Sequence, residues 1–337
     1  MGEFTFRALP KVELHVHLDC SLSFDVISKI DPKVNQKRFM DEFIAPPKCH
    51  DLAHFLTFAN RQIMLMQSEQ ELRMSVKDLI RQLKQDNVVY AEIRFSPHLH
   101  TLKGLNPYEV VSIVDSETEK WSNKWDIEIG ILLCTLRHYT NEQSLETVKL
   151  SHFFNDHQIC GFDIAGDEAG FPLTNHIEAF QYAHKYNIPI TCHAGEARGA
   201  ESVEESLELL RPARIGHGVR SIENEETVSK LNNQKIHLEI CPSTNIQIGV
   251  FNTFSDHPID ELKKNNVSLN INTDTRTLTN TNLNREYLKI HETFGWTAED
   301  FKKTNLDALN ASFLSENKKK QLQKKIEEGY AGVVIED

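Results

Sequence analysis

RIGHGVRSIENEETVSKLNNQKIHLEIC, residues 214–241, contains one complete unit of a pattern that recurs along the chain. Its two ends, 214–219 and 236–241, are short runs rich in Ile, Val and Leu, as strands buried on both faces tend to be. Residues 223–233 between them have the apolar spacing of an amphipathic helix. Alternation of a strand, a helix and a further strand is typical of a parallel sheet covered by helices.

The same alternation extends in both directions and yields eight strand candidates. They lie at 12–18, 88–96, 127–136, 159–165, 189–193, 214–219, 236–241 and 267–273. Because a helical pattern follows each strand, we predict an α/β fold, a single (β/α)8 TIM barrel. A doubly wound sheet is the competing architecture, but residues 18–21, LDCS, lack the glycine-rich phosphate loop that usually follows its first strand.

A long insertion separates the first two strands. It has helical pieces around 24–30 and 52–86, and we predict that this helical insertion after strand 1 covers the mouth of the barrel. We expect one barrel domain over residues 1–337.

Composition limits the partners of the chain. The 337 residues include 37 basic and 49 acidic side chains, which give a formal net charge of -12. Nucleic acids and anionic membranes bind basic surface patches, so we expect neither as a partner of this acidic chain. No run approaches the ~20 apolar residues of a spanning helix, and the start lacks an apolar core of signal-peptide length, so we expect a cytoplasmic protein. No coiled-coil heptad indicates an oligomeric state.

Polar side chains gather at the carboxyl ends of four strands, where barrels of this kind place their active sites. They are His15 and His17 on strand one, His193 and Glu196 after strand five, His217 on strand six and Asp274 after strand eight. Each alone has an ordinary structural interpretation. Burying them together without a compensating ion costs several kcal/mol, which makes a bound metal the better interpretation.

Three histidines and one carboxylate suit a divalent transition metal, with zinc as the first candidate. We assign as its ligands His15, His17, His193 and Asp274. Glu196 and His217 then stand beside the metal, as a general acid/base and a water-orienting group should. Strand four ends AGDE, residues 165–168, without the lysine that commonly bridges two metals in binuclear hydrolases, so we expect one zinc ion per chain.

Six motifs in sequence order resemble the adenosine deaminase family of zinc-dependent amidohydrolases. They are LPKVELHVHLD (9–19), AGDE (165–168), HAGE (193–196), RIGHG (214–218), CPSTN (241–245) and NTD (272–274). The resemblance spans nearly the whole chain and implies the same barrel. It also implies hydrolytic deamination of adenosine or 2′-deoxyadenosine, in purine salvage, by a zinc-activated hydroxide that attacks C6, with a small purine nucleoside as the partner.

The resemblance also assigns catalytic roles. It implies that Glu196 protonates ring N1, that His217 holds the attacking hydroxide, and that Asp274 accepts a hydrogen bond from it. Zinc falls to the same four ligands as above.

The resemblance places substrate against His17, Asp19, Gly166 and Thr275. Asp19 would bind the ribose hydroxyls, and the Gly166 N–H would reach N3, a contact that is easiest without a side chain. Residues 51–58, DLAHFLTF, look like the apolar lid helix of the family, with Phe55 and Phe58 on it, and fit an ordinary packed helix equally well.

Two residues depart from the family pattern. Cys20 replaces a glycine, and Thr275 replaces the second aspartate of the NTDDP motif, which contacts N7 of the base. A threonine hydroxyl can still donate a hydrogen bond to a ring nitrogen. Arg276 and a bound water are the other candidates for that contact.

The departure at Thr275 leaves the preferred aminopurine open. The alternatives are adenine, a 5′-modified adenosine and an N6-substituted adenine nucleotide. A nucleotide would want a basic phosphate site beside Asp19, whereas residues 20–23, CSLS, supply hydroxyls but no charge. A catalytically silent barrel and a binuclear hydrolase of cyclic amides or phosphoesters are further alternatives. The complete ligand set argues against the first, and the absent lysine argues against the second.

Overall fold

A computed structural model describes residues 4–335 of the chain. Within them, eight strands pair in parallel into two four-stranded sheets. The strands are Lys11–His17 (β1), Val88–Phe95 (β2), Glu128–Leu136 (β3), Ile159–Ala165 (β4), Thr191–Ala194 (β5), Arg214–His217 (β6), His237–Ile240 (β7) and Leu269–Ile271 (β8). All eight overlap the predicted strands, and β4 has the predicted bounds.

Two isolated bridges close the sheets into a barrel. Phe162 pairs with Ile190 between β4 and β5, and Val16 pairs with Asp274 between the end of β8 and β1. The second bridge consists of two backbone hydrogen bonds, from His17 N to Asp274 O (2.7 Å) and from Asp274 N to His15 O (3.0 Å). The predicted (β/α)8 barrel is therefore confirmed, and its closure brings the first and last polar strand ends together.

The helices of residues 4–335 surround this barrel. They are Phe4–Arg7 (α1), Phe24–Ile30 (α2), Gln36–Glu42 (α3), Leu52–Thr57 (α4), Ala59–Ile63 (α5), Glu69–Gln85 (α6), Pro107–Trp125 (α7), Asn141–Phe153 (α8), Ile177–Lys185 (α9), Ala200–Leu209 (α10), Glu225–Gln234 (α11), Pro242–Gln247 (α12), Ile259–Lys264 (α13), Leu283–Phe294 (α14), Ala298–Ala311 (α15) and Glu316–Tyr330 (α16). Short 3₁₀ helices occupy Leu18–Cys20, Pro97–His100, Thr174–His176, Val219–Glu223 and Phe254–Asp256.

The insertion between β1 and β2 is helical, but the prediction of one helical piece over 52–86 was wrong. Three helices, α4, α5 and α6, occupy that stretch. The last of them begins at a capping box, in which the Ser68 hydroxyl accepts from Glu71 N and the Glu71 carboxylate accepts from Ser68 N. Such a box starts a new helix because it satisfies backbone donors that a continuous helix would leave unpaired.

Most of the apolar core lies in one cluster around the barrel, and a smaller cluster lies over its mouth. The smaller cluster includes Cys20, Leu52, Phe55, Ile248 and Leu278. It packs the helix α4 onto the loops that follow β1, β7 and β8, at the carboxyl end of the barrel.

Among the described residues, none of the helices combines the length and the apolar character that a membrane crossing needs. The single domain predicted over residues 1–337 stays a prediction, and residues 1–3 and 336–337 lie outside the described part of the chain.

Candidate metal centre and active site

The four predicted metal ligands converge at the carboxyl ends of β1, β5 and β8. Asp274 Oδ1 lies 3.3 Å from Nε2 of His15 and 3.3 Å from Nε2 of His17. His17 Nε2 lies 3.2 Å from His193 Nε2. One further histidine lies close to this group. The potential ligand atoms of His217, His15, His193 and Asp274 all lie within 4.8 Å of one another.

This arrangement fits a divalent transition metal. Donors that sit about 2.0–2.1 Å from one tetrahedral ion lie roughly 3.4 Å from each other, close to the 3.2–3.3 Å spacings found here. His15 Nε2 is buried and has no hydrogen-bond partner among the described residues. Burial raises the pKa of Asp274 to about 6 and lowers the pKa of His15 and His17 well below the usual range. Neutral imidazole rings are the form that binds a metal, and a cation held between these groups would offset the cost of burying the Asp274 carboxylate.

Two carboxylates are hydrogen-bonded to Nδ1 of two of the predicted ligand histidines. Glu239 Oε2, on β7, lies 3.0 Å from His15 Nδ1, and Asp163 Oδ1, on β4, lies 3.2 Å from His193 Nδ1. Each carboxylate accepts a hydrogen bond from Nδ1–H, which keeps the proton on that nitrogen, fixes the tautomer of the ring and leaves the Nε2 lone pair available to a metal ion. Sequence reasoning missed both residues, although a carboxylate in the middle of an apolar strand was a visible signal.

Arg94 on β2 joins the two carboxylates. Its guanidinium donates to Asp163 Oδ2 (2.8 Å) and to Glu239 Oε2 (2.7 Å), and all three side chains are fully buried. Burial alone would raise the pKa of Glu239, but Arg94 and then Arg214 outweigh it and hold this pKa at about 2. The carboxylates therefore stay ionised and can accept hydrogen bonds from the two histidine rings.

Glu196 and His217 form the second part of the site. Glu196 Oε1 lies 3.4 Å from His217 Nε2, and both side chains are buried. Burial, then the charges of Asp274 and Glu168, raise the pKa of Glu196 well above its usual value. Burial lowers the pKa of His217 well below its usual value. A protonated carboxyl beside a neutral imidazole is a suitable pair for delivering a proton to substrate.

Unusual backbone conformations aim several of these residues. His217 (φ 63°) and Asp274 (φ 57°) adopt the left-handed region, which costs free energy in residues other than glycine and is common at functional sites. Gly166, directly after β4, has φ 98°, which only glycine adopts readily. The strands therefore end in turns that point polar groups across the mouth of the barrel.

Two adjoining cavities open over the group of predicted metal ligands. The inner cavity is small and is lined by Glu196, His217, Asp274, Thr275 and apolar side chains of α4. The outer cavity has a volume of about 350 Å³ and contains Asp19. His17, Cys20 and Gly166 line both.

The structure separates the two phenylalanines of the suggested lid. Phe55 on α4 is 1% exposed and lines the inner cavity, in contact with the apolar cluster that includes Cys20 and Leu278. Phe58 lies beyond the end of α4 and lines a different groove, together with residues such as Met40. Of these two phenylalanines, Phe55 alone therefore lines the cavity over the site.

Thr275 faces the inner cavity, and Arg276 does not. Thr275 Oγ1 is buried without a hydrogen-bond partner in the described part of the chain, so it remains free for a ligand. The Arg276 guanidinium donates to Glu13 Oε2 (2.6 Å) and Asp86 Oδ2 (2.8 Å) inside the fold. Arg276 is thereby removed from the candidates for base recognition.

Asp19 is held ready at the outer cavity. His100 Nε2 lies 2.6 Å from Asp19 Oδ1, and Ser96 N donates to Oδ2 at 3.2 Å. His100 is in turn anchored by its Nδ1 on the Met66 carbonyl (2.9 Å). Sequence patterns revealed neither partner, because Ser96 donates through its backbone N–H and His100 lies in the 3₁₀ helix Pro97–His100 rather than at a strand end.

An eight-stranded parallel barrel with a histidine and aspartate cluster at the carboxyl ends of its strands is an arrangement suited to a metal-dependent hydrolase. The chain belongs to the adenosine deaminase family, whose model matches residues 10–329.

Individual relatives agree with this assignment. An adenosine deaminase from Enterococcus faecalis is 33% identical over 336 residues, which cover 98% of this chain and 99% of that protein. Among solved structures, an adenine deaminase from Arthrobacter aurescens has a TM-score of 0.88 at 21% identity, covering 95% of this chain and 98% of that one. A zinc-bound amidohydrolase from Burkholderia ambifaria has a TM-score of 0.89 at 19% identity, covering 97% and 92%. At these identities the two structures establish the fold alone.

Removing Arg94 tests whether the buried charges hold the metal ligands. We expect Arg94→Met to lower the free energy of unfolding by about 3–5 kcal/mol, because two buried carboxylates lose their shared cation. We also expect metal affinity to fall roughly 10- to 100-fold. Urea unfolding and metal titration measure the two effects.

Arg38→Met is the matched control, since it breaks an exposed pair with Glu42 and should leave both quantities nearly unchanged. Equal effects of the two substitutions would contradict the role given to Arg94.

Proposed function

We propose that the protein catalyses the hydrolytic deamination of adenosine and 2′-deoxyadenosine, in which water replaces the 6-amino group and ammonia leaves. The observation that carries the proposal is the position of Glu196, a buried carboxyl that lines the same cavity as the predicted metal ligands. Deamination at C6 needs a proton delivered to the ring while oxygen attacks the adjacent carbon. Family membership supports the same reaction.

We assign one zinc ion per chain to the site, with His15, His17, His193 and Asp274 as its ligands. Zinc bound there would supply a Lewis acid that makes water a good nucleophile at neutral pH. The protein prepares the ligands for this role, because the carboxylates behind His15 and His193 fix both rings before the metal arrives.

Glu196 and His217 handle the protons. The raised pKa of Glu196 favours the protonated form of its carboxyl, which can donate to ring N1 and make C6 electrophilic. Neutral His217 can accept a proton from the attacking water, and its ring is oriented by Asn245 Nδ2, 3.2 Å from Nδ1. Asp274, on the same rim, can accept a second hydrogen bond from that water.

We place the base over the inner cavity and the sugar in the outer one. The Gly166 N–H and the free Thr275 hydroxyl at the inner cavity are available to ring nitrogens of the base. Phe55 and its neighbours on α4 exclude bulk water from the reacting carbon. The outer cavity takes the ribose, with the Asp19 carboxylate as acceptor for its hydroxyls.

The outer cavity favours a nucleoside over a nucleotide. Among the described residues that line it there is neither a lysine nor an arginine, and Asp19 and Asp167 are acidic. A phosphate group there would meet carboxylates without a compensating cation. We therefore place adenosine ahead of AMP and of N6-substituted adenine nucleotides.

The direct test is the ultraviolet absorbance change when zinc-loaded protein is mixed with adenosine, with adenine and AMP in parallel. We expect rapid conversion of adenosine and slow or no conversion of the other two. Preferential conversion of adenine would move the substrate to the free base. Conversion of AMP would contradict the reading of the outer cavity.

Glu196→Gln tests the proton donor. We expect kcat to fall roughly 10²- to 10⁴-fold, because glutamine cannot deliver the proton. Zinc content and the Kd for inosine should stay close to wild type, since the amide has nearly the same shape. Near-normal turnover, measured by the same absorbance assay, would overturn the role of Glu196.

Asp19→Ala tests the ribose contact. We expect kcat/KM for adenosine to fall at least tenfold more than the residual kcat/KM for adenine, because adenine has no sugar to bind. His100→Ala, which loosens Asp19 without removing it, should give a smaller loss in the same direction. Equal losses on adenosine and adenine would remove Asp19 from ribose recognition.

A further inference from the structure

The turn that carries Glu196 is built around a second buried glutamate. Glu168 lies three residues after β4 and is 1% exposed. Its carboxylate accepts hydrogen bonds from four consecutive backbone N–H groups of the turn after β5. The donors and distances are Gly195 (2.7 Å), Glu196 (3.0 Å), Ala197 (2.5 Å) and Arg198 (2.9 Å).

A fifth donor completes the arrangement. The hydroxyl of Ser202, in the first turn of α10, donates to Glu168 Oε1, the oxygen that also receives Gly195 N. Because both oxygens of Glu168 act as acceptors, the group is an ionised carboxylate, which has about four lone-pair sites and no donor. Backbone N–H groups that converge in this way form an anion-binding concavity.

The turn needs this anion to keep its shape. Gly195 has φ 64°, and a Cβ there would lie 2.5 Å from the side chain of Val203, so the backbone is both left-handed and tightly packed. Residues 195–198 lie between β5 and α10, outside either element, and their N–H groups would otherwise be buried or half-buried without acceptors. The carboxylate therefore sets the path of the backbone at Glu196.

Glu168 also acts through charge. After burial and Asp274, it is the third cause that raises the pKa of Glu196. No direct bond joins the two side chains in the described structure, and Glu168 does not line the cavity that contains Glu196. Its influence on that cavity passes through the backbone and through the electric field.

We propose that Glu168 is a positioning residue for the proton donor: by binding the N–H groups of residues 195–198 it fixes the Glu196 carboxyl beside the predicted metal ligands. The proposal rests on the proposed function for its kinetic readout. Its structural basis is independent of the substrate. A group whose only role is to stabilise the fold would affect turnover without regard to whether Glu196 can donate a proton.

The kinetic experiment combines two substitutions. In Glu168→Gln, the side-chain amide turns N–H groups toward backbone N–H groups, so the turn shifts. We expect kcat to fall about 10- to 100-fold with KM changed less than threefold, because misplacement by about 1 Å has effects of this size. In a Glu196→Gln background the same substitution should cost less than twofold, since there is no proton donor left to misplace. Multiplicative losses in the double variant would overturn the proposal.

The pH profile provides a second kinetic criterion. Glu168→Gln removes a negative charge near Glu196, so the pKa of Glu196 should fall. Activity requires protonated Glu196, and the alkaline limb of kcat should therefore move to lower pH. An alkaline limb unchanged from wild type, or moved upward, would contradict the proposed coupling.

Glu205→Gln is the matched control. Glu205 lies on α10 and, like Glu168, bonds to residue 198, but through the Arg198 side chain (2.8 Å) rather than its backbone. We expect this variant to retain wild-type kcat and pH dependence. Ser202→Ala, which removes one donor and leaves the carboxylate, should give a loss smaller than that of Glu168→Gln and is the variant to use if the latter does not fold.

Hydrogen exchange distinguishes failure of this proposal from failure of the proposed function. In zinc-loaded Glu168→Gln, amides 195–198 should exchange at least tenfold faster than in wild type, while amides of β1 and β4 and the zinc content stay unchanged. This result would support the proposal even if adenosine is not the substrate. Unchanged exchange at 195–198 would overturn it, whatever substrate the enzyme uses.

Discussion

A chain of five alternating charges inside the barrel supports the rest of the structure. Glu92, Arg214, Glu239, Arg94 and Asp163 are fully buried, and each is bonded to the next. Their charges sum to minus one, and two of the carboxylates end on histidine rings at the barrel mouth. Buried charges of this kind are stable only when every member is paired, so the interior and the metal centre form one electrostatic unit.

This unit divides the site into a rigid part and an adaptable part. The proposed metal ligands project from strands or from residues just beyond them, where the barrel and the buried charges fix them. The groups that would meet substrate, such as Asp19, Thr275 and Phe55, lie on the connections and on the inserted helices. A barrel of this class can therefore keep one metal chemistry while its substrate contacts change.

Sequence patterns predicted the barrel, the covering insertion and the groups that gather at its mouth. Apolar runs locate strands well when both faces are buried, as at 159–165. The same criterion gives no role to Arg94, Asp163 and Glu239, because a charge that is visible in an apolar run does not reveal its partner on another strand. Pairing across a barrel depends on the three-dimensional register, which no local pattern contains.

Local chemistry was also missed where a different rule applied. Periodicity joined α4, α5 and α6 into one piece, although the Ser68–Glu71 capping box marked a new start. Glu168 stood within a recognised motif without a role, since its partners are backbone N–H groups that carry no residue identity. Arg276 was placed near the base because it follows Thr275, but its side chain turns to Glu13 and Asp86. Neighbours in sequence need not share an environment.

Glu92 and Arg214, at the end of the charge chain away from the histidines, have partners that are synthesised late. Glu92 accepts from Phe313 N (2.9 Å), and the Arg214 guanidinium donates to the Ala311 carbonyl (3.0 Å) and stacks 3.7 Å from the Phe313 ring. Until residue 313 has been synthesised, both charges lack these partners, although the strands that carry them emerge from the ribosome much earlier. This end of the charge chain therefore has all of its partners only when nearly the whole polypeptide is present.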